Sequence, residues 1–156
     1  MTEIRFYHLQ RSKLEQALPA ILSQAHARGM RALVRFETES ERDHINEILW
    51  TYDSASFLPH DTNDSRKPAE QNILLSTKDD NQNSANLLVL VNGATASNLE
   101  GFELCCEVFD GLNDPIVQTM REKWKALKDE GYTLKYFQQN DAGRWEEKAS
   151  ANTEAA

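Results

Sequence analysis

The chain has 156 residues, 40% hydrophobic and 27% charged, a length and balance that fit one folded domain and argue against wholesale disorder. Asp and Glu number 25 against 17 Lys and Arg, a formal net charge of -8 that disfavours direct binding to the nucleic-acid backbone. The longest apolar run, residues 86–91, is too short to span a membrane, and residues 1–5 lack a secretory pattern. The adjacent Cys105 and Cys106 cannot link distant segments. These features predict a reduced cytoplasmic domain without a membrane partner.

The first half of the chain predicts alternating strands and helices. A β-rich segment over residues 5–9 precedes a helix over residues 12–28, which Ser12 and Glu15 open at the spacing of a capping box. Pro19 predicts a kink or a late start in that helix, because proline lacks a backbone donor. A second strand is expected over residues 31–36. The next helix, over residues 39–52, carries an apolar stripe of Ile45, Ile48, Leu49 and Tyr52.

The second half predicts two buried strands, a pair of helices and a last strand. The strands cover residues 72–77 and 87–91, and the polar link between them is too short for a crossover helix, which favours an antiparallel or irregular neighbour. Helical spacing then predicts a helix that contains Phe102, Cys105, Cys106 and Phe109. Another helix, with Asp114 as its cap and Pro115 in its first turn, is expected to run to about residue 130. A last strand is expected over residues 134–137.

These elements add up to a single three-layer α/β domain, Rossmann-like, with a mixed and mostly parallel sheet. The domain is expected to cover residues 1–145. Residues 146–156 are rich in Ala and Glu without an apolar stripe, and they predict a flexible C-terminal tail.

Catalytic and cofactor chemistry finds little support in the residues. The turn after the first strand, residues 10–14, contains no glycine, although phosphate binding there needs one for close backbone approach. The four histidines are isolated, the Asp-rich segments look like solvated loops, and the paired cysteines look like core residues. We therefore expect no catalytic, cofactor or metal site. A small α/β nucleotide-binding regulator or enzyme is kept as the alternative.

Two helices depart from simple amphipathic patterning. Trp50 lies off the apolar stripe of its helix, and Phe57 follows soon after, so the two aromatic rings either anchor a partner or close a minor core under the loop. On the helix from Pro115, Trp124 borders a stripe of cations, namely Arg121, Lys125 and Lys128. Such a stripe suits a ligand with an apolar end and several carboxylates, although cations near a helix C-terminus also complement its dipole. Lys123 is turned toward the core side, where it would have to snorkel.

Several segments of the chain resemble a known family. They are residues 6–9 (Phe-Tyr-His-Leu), Leu49-Trp50, residues 56–60 (Ser-Phe-Leu-Pro-His), residues 121–125 (Arg-Glu-Lys-Trp-Lys), Gly131 and Arg144-Trp145. Together, over about residues 4–145, they resemble the chi subunits of bacterial DNA polymerase III holoenzyme. The resemblance implies a non-catalytic accessory subunit that joins the clamp-loader complex to single-stranded DNA-binding protein. In that family the subunit captures the partner's acidic C-terminal tail, which ends in Pro-Phe.

The resemblance also implies roles for individual residues. Arg121, Trp124 and Lys125 match the tail-binding positions, and Tyr136 aligns with a further contact. Two departures are Val117, where better-known members carry a lysine, and Trp124, where they usually carry tyrosine. Trp50 and Phe57 match the surface that binds the small psi subunit, and a helicase-type partner could compete for the same aromatic residues.

Overall fold

The protein, described from a computed structural model over residues 2–51 and 59–153, is built on one eight-stranded sheet. The strands are β1 (Glu3–Leu9), β2 (Ala32–Arg35), β3 (His60–Thr62), β4 (Ile73–Ser76), β5 (Leu87–Val91), β6 (Leu104–Asp110), β7 (Thr133–Gln139) and β8 (Trp145–Ala151). The helices are α1 (Leu14–Ala27), α2 (Glu39–Thr51) and α3 (Asp114–Asp129), with a short 3₁₀ helix at Pro68–Glu70.

The strand order is β3-β4-β2-β5-β6-β1-β7-β8, and every neighbouring pair is parallel except β7 and β8. Alternate side chains of the sheet fall into two buried clusters. One cluster packs under α1 and α2, and the other packs under α3 on the opposite face. The predicted three-layer α/β fold with a mixed, mostly parallel sheet is therefore confirmed.

The N-termini of α1 and α3 lie within one or two residues of the predicted positions. Helix α1 begins at Leu14 rather than Ser12, and Gln16 Oε1 accepts a hydrogen bond from the backbone N–H of Lys13 at 3.3 Å. Pro19 is buried within α1. At the start of α3, the cap is Asn113 rather than Asp114, because Asn113 Oδ1 accepts from the backbone N–H of Ile116 at 3.2 Å.

The helix predicted around Cys105 and Cys106 is wrong. These residues belong to β6, a strand at the centre of the sheet between β5 and β1. A central parallel strand is covered on both faces, so its sequence is apolar almost throughout rather than alternating. A run of that kind contains residues at helical spacing by coincidence, and this misled the prediction.

The link between β4 and β5 also differs from the expectation. The two strands are not neighbours, since each pairs in parallel with β2 from opposite sides. The link therefore passes over a single strand without a helix. The antiparallel pair in the sheet is β7 with β8 instead.

The flexible tail predicted from residue 146 is wrong for residues 146–151, which form most of β8. Backbone pairing with β7 holds this edge strand in the sheet. Most of its side chains are exposed, and its sequence therefore shows no apolar stripe. Trp145 packs edge-on against Tyr7, with ring centroids 5.1 Å apart, and Ala151 is buried. Residues 154–156 lie outside the described part of the chain.

Candidate functional site

Helix α3 carries a stripe of exposed cations along its outer face. Arg121, Lys125 and Lys128 are three or four positions apart and therefore lie side by side on the helix. Within residues 2–51 and 59–153, none of the three forms an ion pair with a carboxylate. Residues 121–128 carry four cations and one acid, so positive charge is concentrated here in a protein with net charge -8.

An aromatic cluster borders that stripe. Trp124 is half-buried and meets Tyr136 edge-on at 5.7 Å between ring centroids, and Phe6 lies beneath both rings. Burial raises the pKa of the Tyr136 hydroxyl, and the positive charge of Arg121 opposes that rise. The structure thus brings Tyr136 on β7 beside the predicted residues of α3. The surface combines this aromatic cluster with cations that form no ion pair among the described residues.

Lys123 differs from its neighbours on α3. Its amine forms an ion pair with Glu107 of β6, whose side chain is 1% exposed. Burial raises the pKa of the Glu107 carboxyl, and Lys123 opposes the rise. Lys123 thus turns toward the core as predicted, and its amine meets a buried carboxylate there. This pair was not predictable, because the helical spacing around Cys105 and Cys106 places residue 107 in a helix.

His8 belongs to the site, although its position in the sequence suggests an isolated histidine. It is 8% exposed on β1, and its Nδ1 lies 2.7 Å from the Tyr136 hydroxyl. Its ring also contacts that of Phe109, with centroids 5.3 Å apart, and its Nε2 lies against the Gly111 backbone. The signal that could have found it is the parallel pairing of β1 and β7, which puts residues 8 and 136 on the same face.

Val117 explains one departure from the family pattern. Its side chain is 8% exposed and belongs to the cluster packed under α3. The first turns of α3 therefore contribute apolar packing at this position rather than a surface cation.

The second predicted surface lies at the other end of the sheet. Trp50, at the end of α2, is 54% exposed, and its ring is tilted against that of His60 on β3 at 4.6 Å. Phe57, predicted to accompany it, falls outside the described residues. The pairing of Trp50 with Phe57 therefore stays a prediction.

The backbone amides that bind phosphate in doubly wound folds are already hydrogen-bonded within this protein. Gln139 Oε1 accepts hydrogen bonds from the backbone N–H groups of Gln10, Arg11 and Ser12, at 3.3, 2.9 and 2.9 Å. Those amides belong to the turn after β1, which is where a nucleotide phosphate would need free donors. This arrangement weighs against the alternative of a nucleotide-binding protein.

The loop aspartates and the paired cysteines, also considered from the sequence, have structural roles. Asp64 pairs with Arg42 and Asp79 with Arg35, each closing a loop onto a buried guanidinium. Burial raises the pKa of the Cys106 thiol to about 12, so this group is protonated at neutral pH. Over the residues that the structure describes, no cluster of three or more metal-ligating side chains occurs, and no helix is long and apolar enough to cross a membrane.

Comparisons with known proteins agree with the resemblance. The family described as "DNA polymerase III chi subunit, HolC" matches residues 1–135. A protein of Rickettsia prowazekii (strain Madrid E) named "Probable DNA polymerase III subunit chi" is 22% identical over 152 residues, which cover 93% of this chain and 91% of that protein. The "DNA polymerase III subunit chi" of Pseudomonas aeruginosa is 22% identical over 138 residues, which cover 86% and 94%. The chain therefore belongs to the family of DNA polymerase III chi subunits, and it serves DNA replication as a subunit of that polymerase.

Proposed function

We propose that this chain is a non-catalytic accessory subunit that links the clamp-loader complex to single-stranded DNA-binding protein by capturing its acidic Pro-Phe tail. One observation carries the proposal: Arg121, Lys125 and Lys128 have no carboxylate partner among the described residues, and they adjoin the half-buried Trp124. The subunit then reaches DNA through its protein partner and needs no contact with phosphates, in keeping with its acidic composition. Its place is the cytoplasmic replication machinery.

The chemistry of such a tail complements both parts of the surface. Carboxylates pair with Arg121 and Lys125, and the guanidinium can hold one carboxylate through two parallel hydrogen bonds. The terminal phenylalanine packs against the edge of Trp124 and Tyr136, which present aromatic surface beside the cations. With Val117 in place of a surface lysine, the contact is weaker by about 1 kcal/mol or less, because exposed ion pairs contribute little.

The second partner is a psi-like clamp-loader subunit that docks on Trp50 and Phe57. The exposed indole of Trp50 is the support for this assignment, since tryptophan is a preferred anchor of protein interfaces. A helicase-type protein is the competing occupant of this surface. Co-purification of this chain with each candidate, using the unaltered protein and Trp50→Ala, distinguishes the two.

The tail proposal is tested by isothermal titration calorimetry. The ligand is the C-terminal peptide of the same organism's single-stranded DNA-binding protein, beside a copy that lacks the final phenylalanine. We expect micromolar binding that is lost with that phenylalanine. Arg121→Ala and Lys125→Ala should each weaken binding by about 1 kcal/mol, or roughly fivefold, because each removes one exposed charge pair with the tail.

The matched control is Arg28→Ala, which removes one exposed positive charge at the end of α1, on the opposite face of the sheet. It should leave the affinity unchanged within about twofold, since exposed charges beyond about 10 Å are screened at 0.1 M salt. If the unaltered protein, Arg121→Ala and Lys125→Ala bound the peptide with equal affinity, this surface of α3 would not be the tail-binding site. Equal affinities for the two peptides would exclude recognition of the terminal phenylalanine.

A further inference from the structure

The surroundings of His8 indicate which of its ring nitrogens carries the proton. A side chain at Gly111 would collide with His8 Cδ2 and Nε2, so Nε2 is the nitrogen that faces the Gly111 backbone. The Gly111 backbone raises the pKa of His8, as a carbonyl that accepts from Nε2 would, and we therefore assign the proton of the neutral ring to Nε2. In the neutral ring Nδ1 is then an acceptor, and it takes the hydrogen bond that the Tyr136 hydroxyl donates at 2.7 Å.

Three charged or titratable groups face His8 from the elements packed around it. Tyr136 approaches from β7, Asp110 from β6 and Arg121 from α3. Burial and the positive charge of Arg121 lower the pKa of His8, whereas Gly111 and Asp110 partly oppose this. His8 is thus neutral at physiological pH in the absence of a ligand.

We propose that His8 is a positioning residue of the tail-binding surface, which orients the Tyr136 hydroxyl and makes capture of an acidic peptide tighten as the pH falls. The inference rests on the proposed function. The residues named for tail binding by resemblance are Arg121, Trp124, Lys125 and Tyr136; His8 contacts one of them and senses the charge of another.

The two protonation states of His8 present different surfaces. When His8 is neutral, the Tyr136 proton points to Nδ1, and the hydroxyl oxygen can only accept hydrogen bonds from a ligand. When Nδ1 is protonated, it donates to the Tyr136 oxygen, which frees the hydroxyl proton for a ligand carboxylate. The imidazolium also adds a positive charge beside Arg121. Both changes favour an acidic ligand, and a bound acidic ligand must in turn raise the pKa of His8 by linkage.

The test measures the affinity of the acidic Pro-Phe peptide at pH 8.0 and pH 5.5 for the unaltered protein and for His8→Asn. Asparagine can place Oδ1 near the position of Nδ1, so it keeps the acceptor for Tyr136 but does not titrate. The unaltered protein should bind about fivefold more tightly at pH 5.5, whereas His8→Asn should change less than about twofold. The carboxylates, Arg121, Lys125 and the other histidines are present in both proteins, so the difference isolates His8.

A second readout needs no variant of His8. Nuclear magnetic resonance of the ring protons should give a pKa for His8 that rises when the peptide saturates the protein, and that rises in free Arg121→Ala as well. Peptide binding with the same pH profile in the unaltered protein and His8→Asn, or a His8 pKa indifferent to the peptide, would overturn this inference alone. No peptide binding at either pH would overturn the proposed function and the inference with it.

Discussion

Four cations lie between residues 121 and 128 of α3, and their surroundings divide them into two kinds. Arg121, Lys125 and Lys128 face solvent, whereas Lys123 is neutralised by the buried Glu107. The wheel geometry of the sequence predicted that Lys123 turns inward, but not what it meets there. The contact depends on which strand lies under the helix, and this is a property of the tertiary fold rather than of helical periodicity.

The pair between Lys123 and Glu107 should show a strong asymmetry between its partners. Lys123→Met leaves a carboxylate buried without a counter-ion, which costs about 3–5 kcal/mol of unfolding free energy. Glu107→Gln should cost less than half as much, because the amide carries no charge and the Lys123 side chain, 25% exposed, can turn to water. Urea denaturation of the two variants at pH 7.5 measures both values.

The stability of Lys123→Met should depend on pH in a direction set by the raised pKa of Glu107. Without Lys123 the pKa of Glu107 is raised further in the folded state, so folding binds protons and stability is lost as the pH rises through that pKa. The variant should therefore be more stable at pH 5 than at pH 7.5, and the double variant with Glu107→Gln should not show this gain. Lys125→Met, the same change on an exposed position of α3, should stay within about 0.5 kcal/mol of the unaltered protein. Equal costs for Lys123→Met and Lys125→Met would deny the pair any energetic role.

Elements with a strong periodic pattern were predictable from the sequence, and those held by their neighbours were not. Helix α3 has a proline in its first turn and one apolar face, which are local signals that survive in any fold. Strand β6 was predicted as a helix, because residues at positions 102, 105, 106 and 109 fit a helical face as well as a buried strand. Periodicity cannot distinguish these for a short apolar run. The same error hid Glu107, the buried ion-pair partner of Lys123.

Strand β8 lacked any local signal, since its backbone pairs with β7 while most of its side chains remain in water. Its removal should nevertheless destabilise the domain. Asn152, directly after the strand, donates hydrogen bonds to the carbonyls of Lys128 and Tyr132 and so ties the end of α3 to the sheet edge. A chain that ends at Arg144 loses this tie, the pairing with β7 and the contact of Trp145 with Tyr7. We expect a loss on the order of 2 kcal/mol or more, which lowers Tm by roughly 5 °C.

Thermal unfolding followed by circular dichroism measures the effect of that truncation. Lys148→Ala is the control, because it removes an exposed side chain of β8 and keeps the backbone pairing. Its Tm should match that of the full chain within about 2 °C. An unchanged Tm in the truncated chain would mean that the segment contributes nothing to the fold, as the sequence pattern suggested.

The topology separates the two candidate surfaces of the molecule. Trp50 lies beside β3, the first strand in the sheet order, whereas Tyr136 lies on β7, the seventh. Neighbouring strands are about 4.8 Å apart, so the two surfaces are roughly 30 Å from each other across the sheet. Partners of ordinary size can then bind at both ends together, which is the arrangement that the proposed linking function requires.

This separation predicts that the two surfaces act independently. Trp50→Ala should weaken binding of the proposed clamp-loader partner by about 2 kcal/mol or more, as expected for an exposed tryptophan anchor. It should leave the affinity for the acidic peptide unchanged within about twofold. Arg121→Ala should show the reverse pattern, and a saturating amount of peptide should not displace the clamp-loader partner. Titration of each ligand into the protein with and without the other measures the coupling directly. A coupling factor above about fivefold would require that the central strands β5, β6 and β1 transmit a change between the two ends, because no direct contact can span that distance.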